Sequence, residues 1–382
     1  ELIKLEGIGS IVANFDTGNS ARCIIHADKY DVKGNTIVWE AQGKKYKNKL
    51  IKIDENNNFH TFSDDDYTLT PSAQLGISND FFIIDALFGS IAQDINTTDG
   101  GSDEFFLHQA YGILPVGPVS IMVGHFDTML GNEVINPADN PNITRSFLFG
   151  YSINFQNTGV RAVYEPEMGV VDEIYLGFGN GQDSIYDEGE SQGKTIEAAV
   201  GTSIGDASLF LAMNLGPETA VDSLIRRTYT AVFGMPVTNS VSITVNGVYA
   251  HEEDAGDTRS DGSKVNGEWY GGAGYITYDH SDTLSVTFRA EYFKDVGGSR
   301  LDFYGVTSKG TFTEGSDEAI LKSLTVTPQL LVGEYGVLRA EFRRDMANHE
   351  VFQREPYPTT PNTNTAKNQT QDTVSLQYVV SF

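Results

Sequence analysis

The chain has 382 residues, is 40% hydrophobic, and carries 52 Asp and Glu against 26 Lys and Arg for a net charge of -26. That acid excess argues against nucleic acid as a partner, and the single cysteine, Cys23, excludes an intramolecular disulfide or a thiolate metal cage. No apolar run approaches the ~18 residues that a membrane-spanning helix needs, a test that spanning strands escape because half of each strand faces water.

In chain order, the signal is period-two alternation. The chain opens Glu1-Leu2-Ile3-Lys4, without a methionine and already alternating, which reads as a mature, processed chain. Phe15-Asp16-Thr17-Gly18 matches the catalytic tripeptide of aspartic proteases, but that chemistry needs a second Asp-Thr-Gly, and Asp127-Thr128 is followed by Met129. A long first external loop is expected over 17–66, locally basic at Lys44, Lys45, Lys47, Lys49 and Lys52; its plainest reading is a surface hairpin over the mouth of a barrel. Tyr67, Leu69, Ala73, Leu75 and Ile77 then oppose Thr68, Thr70, Ser72 and Gln74. Gly189 to Thr195 is one residue short of a phosphate-binding loop and precedes an alternating segment. Val241, Ile243 and Val245 oppose Ser242, Thr244 and Asn246, and Leu284, Val286, Phe288, Ala290 and Tyr292 oppose Ser285, Thr287, Arg289 and Glu291. Leu338, Ala340 and Phe342 oppose Arg339, Glu341 and Arg343; at the end Val374, Leu376, Tyr378, Val380 and Phe382 oppose Thr373, Ser375, Gln377 and Ser381.

The polar faces are too polar for a packed core. Strand starts are expected near Ile3, Tyr67, Phe81, Glu104, Val119, Thr158, Val171, Ile196, Ser208, Arg226, Val241, Glu268, Thr283, Ile320, Gly336 and Asp372. They are about sixteen, and even, as bacterial single-chain barrels require. Short turns such as Val116-Gly117-Pro118, Gly205-Asp206-Ala207 and Gly333-Glu334-Tyr335 alternate with long polar connections. The expected fold is therefore all-β: one transmembrane antiparallel barrel over 1–382, in the bacterial outer membrane, with both termini periplasmic. A soluble β-sandwich hydrolase is the rival that could use the same strands.

One connection differs from the rest. The segment 127–157 holds Met129, Leu130, Ile135, Phe147, Leu148 and Phe149, residues that a loop wholly in solvent does not carry. Folded into the barrel it would form a constriction. The run GHFDTMLGNEVINPADNPNITRSFLFG, followed by TGVRAVY and preceded by LHQAYGIL, resembles the signature region of the second family of β-barrel porins, and the terminal phenylalanine fits. The resemblance implies a barrel with an inward-folded loop and passive solute diffusion; a channel for small hydrophilic solutes needs no catalytic residue, and no cofactor or metal is expected.

Candidate constriction and pore-lining residues are Asp127, Glu133, Asp139 and Arg145 on the loop, with Arg161, Arg226, Arg289, Glu291, Arg339, Glu341 and Arg343 on the wall. Acid loop facing basic wall would set up a transverse field across the pore; equally, Arg289 with Glu291, and Arg339 and Arg343 with Glu341, would neutralise one another along their strands. Tyr378 and Phe382 are the candidate signal for the outer-membrane assembly machinery. Expected partners are membrane lipid and lipopolysaccharide, and a homo-oligomer is open. The acid clusters Ser63 to Asp66 and His251 to Asp254 suit divalent cations bridging lipopolysaccharide, or simply a solvated surface. A barrel serving as an adhesin or docking component of a surface complex is the alternative function.

Overall fold

A strand with one apolar and one polar face can bury the polar side only by closing on itself around a wet or hydrogen-bonded interior. The computed structural model describes residues 4–16, 29–33, 36–41, 44–49, 69–92, 95, 104–166, 169–185, 193–218, 224–255, 265–301, 318–349, 352–353 and 366–381. The strands run β1 (Lys4–Asp16), β2 (Lys29–Lys33), β3 (Thr36–Ala41), β4 (Lys44–Lys49), β5 (Leu69–Asn79), β6 (Phe82–Gly89) and β7 (Phe105–Val116). They continue with β8 (Val119–Asp127), β9 (Gln156–Tyr164), β10 (Val171–Gln182), β11 (Thr195–Ile204), β12 (Ala207–Pro217), β13 (Ile225–Thr238) and β14 (Val241–Glu252). The last are β15 (Gly267–Asp279), β16 (Leu284–Asp295), β17 (Ala319–Val332), β18 (Gly336–Ala347), β19 (Phe352–Gln353), β20 (Ala366–Asn368) and β21 (Thr370–Ser381).

Sixteen of these, all but β2, β3, β4, β19 and β20, form a closed antiparallel barrel in which β1 joins β21 on one side and β5 on the other. Each sequence-expected start lies within two residues of the observed one. The segment expected as a basic first loop contains a three-stranded antiparallel sheet, β2-β3-β4, with the lysines of 44–49 on its last strand. Residues 17–28 and 50–68 lie outside the described residues, as does Phe382.

Burial is inverted relative to a soluble protein. Leu338, Phe342, Val374, Leu376 and Tyr378 point outward and are exposed, whereas Arg339, Glu341, Arg343, Thr373, Ser375 and Gln377 on the same strands are buried. The apolar face thus points outward and the polar face inward. One hairpin end of the barrel is made of tight turns, where Gly117, Gly205 and Gly333 adopt φ of 62°, 62° and 67°, a conformation that residues with a Cβ adopt at a cost.

The wall is thinnest across β8, β9 and β10, where Gly124, Gly159 and Gly179 stand side by side in register. A Cβ at Gly159 would lie 2.2 Å from the Phe178 carbonyl oxygen and 2.6 Å from the Gly179 Cα. Only glycine lets these backbones approach so closely.

The pleat assignment has a direct check. In a Cys23→Ser background, Ser285→Cys should react with a water-soluble thiol reagent and Val286→Cys should not, since Ser285 pairs across the lumen face with Gln329 and Val286 pairs across the outer face with Pro328. Equal labelling would contradict the inside-outside assignment.

Candidate functional site

Inside a closed barrel, a loop must satisfy its own backbone polar groups, and water is excluded wherever it packs tightly. The chain between β8 and β9 does this by crossing the lumen. At its neck the Thr128 amide donates to the Phe155 carbonyl at 2.9 Å, and Asn154 Oδ1 accepts from Thr128 Oγ1 at 3.3 Å and from Asn214 Nδ2 on β12 at 3.0 Å. The Gly131 amide reaches Thr230 Oγ1 on β13 at 3.2 Å.

Two short helical turns shape the loop. Pro137–Asp139 is a 3-10 turn with Pro137 in its first turn, and the Asn136 side chain caps it by accepting from the Ala138 amide at 2.9 Å. Leu148–Ser152 is a single π turn, entered through Ser146, whose carbonyl accepts from the Gly150 amide at 3.1 Å. Arg145 ties the loop to itself: its Nε and both Nη atoms donate to the carbonyls of Val134, Ile143 and Ile135 at 2.8, 3.0 and 2.8 Å. Complete burial pulls its pKa down to about 10, still leaving the guanidinium charged at neutral pH.

The far wall supplies the acceptors that the loop backbone lacks. Glu341 on β18 accepts from the Ile143 and Thr144 amides at 2.7 and 3.1 Å and from Thr144 Oγ1 at 2.5 Å. Glu291 on β16 takes the Phe147 amide at 2.6 Å, and the loop's own Glu133 takes the Ser146 amide at 2.6 Å. Arginines supply the donors. Arg289 Nη1 donates to Glu133 Oε1 at 2.8 Å and to the Thr144 carbonyl at 2.6 Å, Arg343 Nη1 donates to the Arg145 carbonyl at 2.6 Å, and Arg339 Nη1 donates to the Pro137 carbonyl at 2.7 Å. Arg343 also pairs with Asp345 at 2.7 Å and with Glu291 at 3.2 Å, and its guanidinium lies 4.7 Å from the Phe147 ring centre.

Apolar side chains complete the seal. Leu130, Ile135, Leu148, Phe149, Ile153 and Phe155 of the loop pack with wall residues including Leu87, Phe106, Ala199, Ala212 and Val248. Phe147 joins Ala250, Trp269, Phe293 and Leu321 in a second cluster. The apolar residues that marked this segment in the sequence are thus the ones in contact with the wall.

The expected site residues fall into three groups. Glu133, Arg145, Arg289, Glu291, Arg339, Glu341 and Arg343 come together in a dry seam, each 6% exposed or less. Arg161 and Arg226 stand elsewhere on the wall, each held by a carboxylate: Arg161 Nε lies 2.6 Å from Glu197 Oε1, and Arg226 bonds both oxygens of Glu252 at 2.9 and 3.1 Å. Room for Glu197 comes from Gly177, where a Cβ would sit 2.1 Å from its Oε1. Asp127 and Asp139 stay more exposed than the seam residues, Asp127 with 30% of its side chain accessible. Tyr378 lies on the outer face. Reading the sequence alone missed Asp345, Glu197, Asp85 and His108; the first two were visible as lumen-facing charges of alternating strands, the last two carried no distinguishing pattern.

Comparison with known proteins places this geometry. A family model described as Putative beta-barrel porin-2, OmpL-like, matches residues 42–382. Among solved structures, the outer membrane channel DcaP of Acinetobacter baumannii superposes with a TM-score of 0.54 at 13% identity, covering 100% of this chain and 97% of that one. OmpT of Vibrio cholerae, an outer membrane protein, gives 0.52 at 9% identity with the same coverages, and its trimer form gives 0.53 at 10% identity over 100% and 99%. No curated protein sequence matches the chain.

Proposed function

The chain belongs to the Putative beta-barrel porin-2, OmpL-like family and is an outer-membrane channel for passive diffusion, and we propose that its solutes pass through a lumen narrowed by the 127–157 loop. The observation that carries this reading is the set of hydrogen bonds by which Glu291, Arg289, Glu341 and Arg343, on the wall, hold the backbone of residues 143–147 across the barrel. In this reading the seam arginines and carboxylates hold the loop and do not line the water path. A transverse field from them is then small, because Arg289 and Arg343 pair directly with Glu133, Glu291 and Asp345, and Arg339 and Glu341 spend their hydrogen bonds on the loop backbone and neighbouring polar side chains.

The remaining assignments follow the same logic. Termini at the short-turn end are periplasmic, and the outward apolar belt meets lipid, with lipopolysaccharide at the long-loop end. Strand β21 with Tyr378, followed by Phe382, is what the assembly machinery reads, and the barrel face is available for self-association into a homo-oligomer. No part of this asks for a catalytic residue: the chain acts as a channel rather than an enzyme.

Reconstitution in planar bilayers is the test. The purified chain should insert with stepwise, ohmic conductance. A folded barrel that passes no current would refute the channel reading and leave a surface-docking role.

A further inference from the structure

The wall formed by β6, β7 and β8 carries a second polar cluster, which the loop seam does not use. In the β6–β7 pairing Asp85 stands opposite Gln109 while Ala86 stands opposite Leu107, so His108 is an extra residue. A bulge of this kind re-aims a side chain, and here it turns the imidazole inward. His108 Nδ1 lies 2.6 Å from Asp85 Oδ2, and its Nε2 lies 2.7 Å from Asp127 Oδ1. Three glutamines fix the frame: Gln74 donates to Asp85, Gln156 donates to the His108 carbonyl, and Gln109 Oε1 accepts from the Asp127 amide at 3.3 Å. His108 and Asp85 are 1% and 5% exposed, whereas Asp127 keeps 30% of its side chain exposed. Asp85 Oδ1 and Gln74 Oε1 are buried acceptors with no hydrogen-bond donor among the described residues. Acceptors left open in this way imply a donor or cation from outside the chain.

In the loop seam the arginines Arg145, Arg289, Arg339 and Arg343 share a buried space with Glu133, Glu291, Glu341 and Asp345, with direct ion pairs at Arg289 and Arg343, and on the wall Arg161 pairs with Glu197. The cluster of Asp85, His108 and Asp127 does not cancel: it is negative whether the imidazole is charged or neutral. We propose that Asp127, backed by His108 and Asp85, is a cation station on the lumen wall, which takes a small monovalent cation, either an alkali ion or a primary ammonium group, and makes the channel cation-selective. The inference rests on the channel reading above.

Reversal potentials of the full chain in planar bilayers under a potassium chloride gradient, repeated with methylammonium chloride, test it. The wild type should prefer cations in both salts; preference for potassium alone would restrict the station to alkali ions, and for methylammonium alone to ammonium groups. Asp127→Asn should lower the cation-to-anion permeability ratio by about threefold or more, the expected scale for removing one unit charge beside a narrow path. Asp127→Glu should keep the ratio, and Asp206→Asn, in the exposed turn between β11 and β12, should leave it unchanged. A conducting wild type with no cation preference overturns the station and leaves the channel intact, whatever the variants do. An unaltered ratio in a folded Asp127→Asn barrel overturns it as well, and a silent wild type overturns both readings.

Discussion

Replacing Arg289 by alanine should free the loop from the far wall. Arg289 is fully buried, bonds Glu133 Oε1 at 2.8 Å and the Thr144 carbonyl at 2.6 Å, and lies 3.5 Å from Glu291. Deleting one partner of a buried pair strands the other charges in a dry environment, a loss of about 3–5 kcal/mol. The barrel itself is closed by backbone pairing that Arg289 does not supply, so the loss falls on the loop. Single-channel records of Arg289→Ala should therefore show larger and noisier openings than wild type, while the folded form still migrates as a heat-modifiable band. Identical step size and noise would mean that the seam does not hold the loop in place.

Gly159→Val should act on the wall and abolish assembly. Its Cβ would meet the Phe178 carbonyl oxygen at 2.2 Å and the Gly179 Cα at 2.6 Å, both of them backbone, so no side-chain movement can relieve the overlap. Separating β9 from β10 removes hydrogen bonds that have no substitute in a lipid environment. The expected result is loss of the heat-modifiable form from the outer membrane, whereas Gly205→Ala, in an open turn with nothing within 4 Å, should retain most of it. Normal yield of folded Gly159→Val would show that the β9–β10 seam is looser than described.

The sixteen barrel strands were legible because a period of two survives every local accident of composition. Arg339, Glu341 and Arg343 could be put on the lumen face from Leu338, Ala340 and Phe342 alone, since one pleat dictates the other. The loop's entry into the barrel was legible too, through apolar residues such as Phe147 and Leu148 in a connection that should have been polar. What the sequence withheld was the partner of each charge. Glu133 and Arg289 are 156 positions apart, and their meeting depends on how the loop packs once inside, which no strand pattern encodes. Neighbouring charges such as Arg289 and Glu291 suggested pairing along a strand; the structure adds bonds from both to the loop, so along-strand neutralisation is only part of their role. His108 was hidden for a different reason. It breaks the alternation by one residue, and a one-residue bulge looks in sequence like an ordinary imperfection.

The central claim, that the loop crosses and narrows the lumen, is tested most directly by single-channel conductance of the wild type beside a variant with residues 132–144 excised. Removal takes out Glu133, Asn142 and Thr144, and with them the contacts to Arg289, Thr327 and Glu341. The excised barrel should open in larger ohmic steps than the wild type at the same salt. Equal steps from a folded, heat-modifiable barrel would place the loop outside the conducting path and contradict the account.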